Sequence, residues 1–219
     1  MKEVNSYGWK AVIGSSIGYA MDGFDLLILG FMLTLISGDL GLTTGQAGSL
    51  VTWTLVGAVI GGFIFGTLSD KFGRVRVLTW TIVLFAVFTG LCAFAQGYWD
   101  LLIYRTIAGI GLGGEFGIGM ALAAEAWPAQ HRAKATSYVA IGWQLGVLAA
   151  ALLTPVLLPY IGWRGMFMVG IIPAFVAWFF RAKLHEPEIF VQSKEIKEHS
   201  HTNSFKLLVK DVRTTKTSI

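Results

Sequence analysis

The sequence predicts an all-α membrane protein of six transmembrane helices, built as two inverted three-helix repeats. Three observations carry that prediction. Charge is scarce: 14% of the 219 residues are charged and 54% are hydrophobic, where a soluble domain carries about a quarter charged residues. The apolar residues run in six windows, most of them long enough to cross a bilayer at about 1.5 Å per residue. The windows also fall into two triplets of nearly equal length, residues 11–97 and 100–183. Three is odd, so the second triplet starts on the opposite face of the membrane, which is the condition for an inverted repeat.

Taken in order, the windows are residues 11–36, 46–68, 77–96, 101–127, 135–158 and 165–180. The first is too long for the core of a cleavable signal, and it contains acids, so it reads as a retained span. The sixth is short until its flanks, Trp163 and Ala182, are counted. After Phe180 the composition turns charged and polar. The expected organisation is therefore a six-helix bundle over residues 1–181 and a polar cytoplasmic linker over residues 182–219. Glu186-Pro187-Glu188 is expected to end the sixth helix, because proline disfavours helix at the residue before it. The stretch FKLLVKDVRTTKTSI, residues 205–219, could form an amphipathic surface helix before its Thr-rich end.

Basic residues set the orientation, since cytoplasmic loops are enriched in Lys and Arg. Lys2 and Lys10 precede the first span, Lys71, Arg74 and Arg76 follow the second, and Arg132 and Lys134 follow the fourth. More follow the sixth, while Arg164 stands between the fifth and sixth. Both termini are expected in the cytoplasm of a multi-pass protein of the inner or plasma membrane. Tyr98, Trp99, Tyr160 and Trp163 are expected at the opposite interface, where amphipathic rings settle. The net charge of +4 thus reads as a topology signal. Aromatic residues do not interleave with the basic ones as in single-strand binders, so nucleic acid is not an expected partner. One cysteine, Cys92, builds neither a disulfide nor a metal site by itself, and no cofactor is expected.

Polar groups inside the spans carry the chemistry. Asp22, Asp25, Arg105 and Glu115 are ionisable and intramembrane, and Gln144 joins them in the fifth span. Such groups face a bundle interior or a water-filled cavity and mark pathways or proton relays. Asp22 and Asp25 are one helical turn apart and share a face. Asp25 stands about 20 Å above the cytoplasmic end of its span, and Arg105 about 24 Å up. A contact between them is consistent with that height. Glu115 is about 15 Å nearer the cytoplasm than Arg105. Arg105, with Gln144, is the expected ligand of a substrate anion, because a guanidinium donates two parallel hydrogen bonds to a carboxylate and stays charged. Burial favours the neutral form of a carboxylic acid, so the three acids suit proton handling. The bland alternative is a buried ion pair that only fixes helix packing.

Glycines recur four apart in the second span, at Gly57/Gly61 and Gly62/Gly66. The fourth span has Gly109, Gly111, Gly113, Gly114, Gly117 and Gly119. Small residues at that spacing let helix backbones approach; in the fourth span they also leave room for a substrate or a bend.

The loop after the second span reads GTLSDKFGRVRVL, residues 66–78. It resembles the cytoplasmic loop motif of the major facilitator superfamily, G-x-L-x-D-[RK]-x-G-R-[RK], through Gly66, Leu68, Asp70, Lys71, Gly73 and Arg74. Arg76 comes one place late for the final base. RTIAGIGLGGE, residues 105–115, is similar to that family's fourth-helix pattern through Arg105, Gly109, Gly111 and Gly113. EAWPAQHR, residues 125–132, resembles its E-x-x-P-x-x-x-R segment through Glu125, Pro128 and Arg132, and GWRGMF at 162–167 resembles the start of its sixth helix. The resemblance implies a cytoplasmic charge network of Asp70, Arg74, Glu125 and Arg132 that latches the outward-open state. It also implies one half of a twelve-helix carrier.

Within that family, DGFD with GGEFG resembles the proton symporters of organic acids, in the sialate/monocarboxylate or aromatic-acid branches. The implied function is symport of a small organic anion with protons, and the chain is expected to be a fragment that needs a C-terminal half or self-association. Other readings are a carrier of sugars or other metabolites in the same family, and a membrane sensor on the same fold. An intramembrane protease is excluded: Ser15 and Ser16 do not fit its serine turn, and all four histidines fall outside the spans.

Overall fold

The computed structural model describes residues 6–181, apart from the side chains at positions 173, 177, 180 and 181. These residues belong to one compact unit. The linker expected over 182–219, with its proline stop and amphipathic stretch, lies outside the described residues.

Five long helices follow one another: α1 (Ser6–Leu40), α2 (Thr44–Phe72), α3 (Arg74–Cys92), α4 (Tyr98–Glu125) and α5 (Arg132–Arg181), with a 3-10 turn at Ala129–His131 before the last. All five are long and apolar enough to cross a membrane. Most extend past the expected windows, because the polar turns flanking each apolar run stay helical. Thr43 starts α2 with a capping box: its hydroxyl accepts from the Gln46 N–H, and the Gln46 side chain accepts from the Thr43 N–H.

The sixth expected span is the second arm of α5. Gly162, at φ 64°, breaks the helix. The first arm runs parallel to α1, since Gly142 packs on the Ser16 carbonyl and Gly146 on the Ala20 carbonyl. The second arm runs back. Trp163 Nε1 donates to Asp39 at 3.0 Å, and an added Cβ at Gly170 would lie 3.5 Å from Ile28. Further down, Ala174 shares an apolar cluster with Met21. Contacts along α1 therefore ascend and then descend as α5 proceeds, so α5 crosses twice.

The inverted repeat is visible in the helix seams. Gly57 and Gly61 of α2 press on the carbonyls of Thr106 and Ile110 of α4. Gly142 and Gly146 of α5 press likewise on Ser16 and Ala20 of α1. In the other direction, Gly113 meets the Ala58 carbonyl, and Gly23 meets the Trp143 carbonyl. These three contacts of the α2–α4 seam thus have counterparts at constant spacing in the α1–α5 seam, with α4 standing for α1 and the first arm of α5 for α2. The turn glycines correspond as well. Gly73 (φ 107°) opens α3, and Gly162 opens the second arm. Both adopt a left-handed backbone that side chains disfavour.

The outer faces are apolar and exposed, as at Val59, Phe63, Trp99 and Tyr160, which suits lipid contact. Trp163 departs from the expected interface belt: it is 5% exposed and packs in the core. Its indole is buried because the N–H finds an acceptor in Asp39.

Close seams give a direct test. A Cβ at Gly146 would strike the Ala20 carbonyl, whereas one at Gly117 meets nothing within 4 Å. Gly146→Ala should cost about 1–3 kcal/mol through overpacking. Gly117→Ala should be neutral, or stabilising by up to about 1 kcal/mol. Thermal unfolding of the two variants in detergent, followed by circular dichroism, checks the contrast.

Candidate functional site

Three acids and one arginine are buried midway along the bundle. Asp22 and Asp25 sit one turn apart on α1 and are both 0% exposed. Arg105 enters from α4, also at 0%. Its Nη1 donates to Asp25 Oδ1 at 3.0 Å and its Nη2 to Oδ2 at 2.6 Å. This is a two-pronged guanidinium–carboxylate pair, the strongest form such a pair takes. The seam glycines allow it: Gly109, one turn beyond Arg105, packs directly on the Thr54 carbonyl, so α4 lies deep in the bundle. The guanidinium carbon also lies 5.7 Å from the Phe167 ring centroid, on the second arm of α5.

Glu115, 2% exposed, accepts from Thr81 Oγ1 at 3.2 Å. At the helix-seam spacing it is the counterpart of Asp25, while Ser15 is the counterpart of Arg105. The two repeats thus bury an acid at matching places, and Arg105 pairs with the first of them.

At one end of the bundle, Arg74 Nη2 pairs with Asp70 at 2.8 Å and Glu125 at 3.2 Å, and Nη1 donates to Ser69 Oγ. Gly73 makes the turn that presents Arg74, Lys71 lies over the Phe72 ring, and Gly66 has open space beside it.

A match to the Major Facilitator Superfamily spans residues 15–216. The chain belongs to that family. A Haemophilus influenzae protein, whose name gives metabolite transport and no particular substrate, is 76% identical over 222 residues, which are 99% of this chain and 54% of that protein. The sialic acid transporter NanX of Escherichia coli is 33% identical over 193 residues, 88% of this chain and 48% of NanX. Other relatives are named for cis,cis-muconate, niacin and benzoate. The chain spans about half the length of the curated relatives it matches. Among solved structures, a partially occluded inward-open xylose transporter XylE from E. coli superposes with a TM-score of 0.79 at 23% identity, covering 89% of this chain and 52% of XylE. That likeness shows the fold. The chain is a transporter-family membrane protein, not an enzyme, and it carries the six helices of one half of a major facilitator.

Other expected residues fall elsewhere. Gln144 is exposed. It sits two residues from both Gly142 and Gly146, hence on the opposite side of its helix from the α1 seam. Arg132 is exposed at the start of α5 and joins none of the ion pairs described, so the family's charge network appears as Asp70, Arg74 and Glu125. A further cluster escaped the sequence reading. At the far end from Arg74, Arg164 Nη1 donates to Asp39 Oδ2 at 2.6 Å and Nη2 to the Ala95 carbonyl at 3.2 Å. A clue was present, because Arg164 is the sole basic residue in the loops on its side.

Removing one partner of a dry pair strands the other. Arg105→Leu should destabilise the bundle by about 3–5 kcal/mol, while Asp25→Leu with Arg105→Leu should cost far less. Unfolding of the single and double variants in detergent measures the difference.

Proposed function

We propose that the chain is one half of a carrier that moves a small organic anion together with a proton across the cell's inner or plasma membrane. The observation that supports this most is the fully buried Asp25–Arg105 pair. With Asp25 ionised, both terminal nitrogens of Arg105 are occupied. A proton on Asp25 cancels the charge that holds them. Arg105 stays cationic under any condition a cell meets, and its fork is then free to take a carboxylate in the same two-pronged geometry. The proton creates the anion site, and the anion keeps the proton from leaving, since coupling between two ligands is reciprocal. Symport follows from that linkage.

Asp22, on the same face, and Glu115, deeper in α4, are the next carriers for the proton. Gln144, on the exposed side of its helix, suits a substrate contact shared with the other half. Asp70, Arg74 and Glu125 suit a gate at the cytoplasmic end. Relatives named for sialic acid, muconate, niacin and benzoate favour a carboxylate substrate. The Lys and Arg distribution favours cytoplasmic termini.

The test is proton flux. The chain is reconstituted in vesicles, with and without a separately supplied C-terminal half of the Haemophilus relative. Sialate, muconate, benzoate or lactate is then added while internal pH is recorded. Uptake of acid and proton together is expected with both halves, lost in Arg105→Ala and uncoupled in Asp25→Asn. Full uptake by Arg105→Ala would sink the anion role. Orientation is checked by fusion: a reporter at residue 219 should fluoresce as green fluorescent protein and be inactive as periplasmic alkaline phosphatase. The opposite result reverses the topology.

A further inference from the structure

Among the described residues, three arginine–carboxylate ties cross between the repeats, at three heights. Arg74 of the first repeat meets Glu125 of the second at one end. Asp25 meets Arg105 midway. Asp39 of the first repeat meets Arg164 of the second at the other end. The end ties are built alike. Each arginine stands in the first turn after a glycine of positive φ, Gly73 or Gly162. Each reaches the last turn of the first helix of the opposite repeat, Glu125 in α4 or Asp39 in α1. Arg164 adds a bond to the Ala95 carbonyl just beyond α3, so it holds three chain segments together.

The Arg164 tie is also joined to the middle one. Arg164 lies over the Trp163 ring at 4.1 Å, and Trp163 shares Asp39 Oδ2 with it. One turn on, Trp163 meets Phe167 edge to face at 6.0 Å. Phe167, 0% exposed, is the ring against which the Arg105 guanidinium rests. A ring face holds a cation by its quadrupole, most strongly where water is excluded.

We propose that Asp39, Trp163 and Arg164 form a second latch, the counterpart of the Arg74 latch at the other end of the repeat, and that Phe167 is the positioning residue coupling it to the Asp25–Arg105 pair. When Arg105 leaves Asp25, the Phe167 ring must follow or lose its cation. The second arm then shifts, and the Asp39–Arg164 tie slackens. The part this plays in transport rests on the function proposed above, but the coupling does not.

Spatial continuity shows a route and not a coupling, so the test is a mutant cycle. The sole cysteine reports it. Cys92 is 0% exposed and belongs to the apolar cluster that holds Trp163 and Phe167. The full chain in detergent, at one fixed pH, is labelled with N-ethylmaleimide and the rate followed by mass spectrometry. Arg164→Gln and Asp39→Asn should each raise the rate roughly two- to fivefold, the scale of a half-exposed ion pair. Together they should add nothing further. Arg164→Lys should recover part of the protection. Asp25→Asn should raise the rate too, and combined with Arg164→Gln it should give less than the product of the single effects. Phe167→Leu should make those effects multiply independently.

Unchanged labelling in Arg164→Gln overturns the latch. Independent effects with Phe167 in place overturn the coupling. An equal rise in Arg74→Gln, at the other end, shows general loosening and also overturns the proposal. If labelling behaves as expected while vesicles show no acid-driven proton uptake, the transport reading fails and the latch stands.

Discussion

The Asp25–Arg105 pair is the constraint around which the bundle is arranged. Two charges withdrawn from water cost several kcal/mol each unless their geometry is close to ideal. Both residues are completely buried, so the helices carrying them must hold one orientation to the ångström. That demand explains the seams. Glycines bring α2 onto α4 and the first arm of α5 onto α1 until backbone touches backbone. Such contacts leave little freedom to slide or rotate. In a lipid setting they replace the hydrophobic drive that helices lack there.

The repeat sets where ties occur, and the sequence then sets which of them carry charge. Matching seams place an acid at Asp25 and at Glu115, with Arg105 opposite the first and the Thr81 hydroxyl bonded to the second. A twofold scaffold with both sites filled alike would hold two equivalent pairs. Among the described residues Arg105 is the fully buried arginine, and in the proposed cycle it is where the anion binds.

Much of this was legible in the chain. The rise of a helix is fixed, so residue counts put Asp25 and Arg105 at one height, and the structure joins them. Glycine spacing announced close backbone approach, which Gly57 and Gly61 make against α4, though Gly66 has open space beside it. What sequence could not supply was the direction each residue faces around its helix once neighbours are in place. Gln144 was read with the buried polar group and is exposed. Arg132 was read into the charge network and stands outside it. Trp163 was read as an interface ring because it lies near a loop, yet its N–H found Asp39 and its ring the core. Phe72-Gly73-Arg74 and Ile161-Gly162-Trp163-Arg164 are alike for a physical reason: both glycines adopt a positive φ, and both turns deliver an arginine to a carboxylate.

The three ties differ in what opens them. Asp39 and Arg164 are each nearly half exposed, while Arg74 and Glu125 keep 17% and 25% of their side-chain surface exposed. Water reaches both end ties, and the more exposed Asp39–Arg164 pair is worth at most about 1 kcal/mol, so thermal motion breaks and remakes it. The middle pair has no water to turn to. In the proposed cycle it changes only when a proton neutralises Asp25 and an anion replaces it. A carrier needs both kinds: end ties weak enough to alternate, and a central tie that yields to chemistry alone. If the central pair were as exposed as the end pairs, Arg105 would be available without a proton, and the anion would move uncoupled.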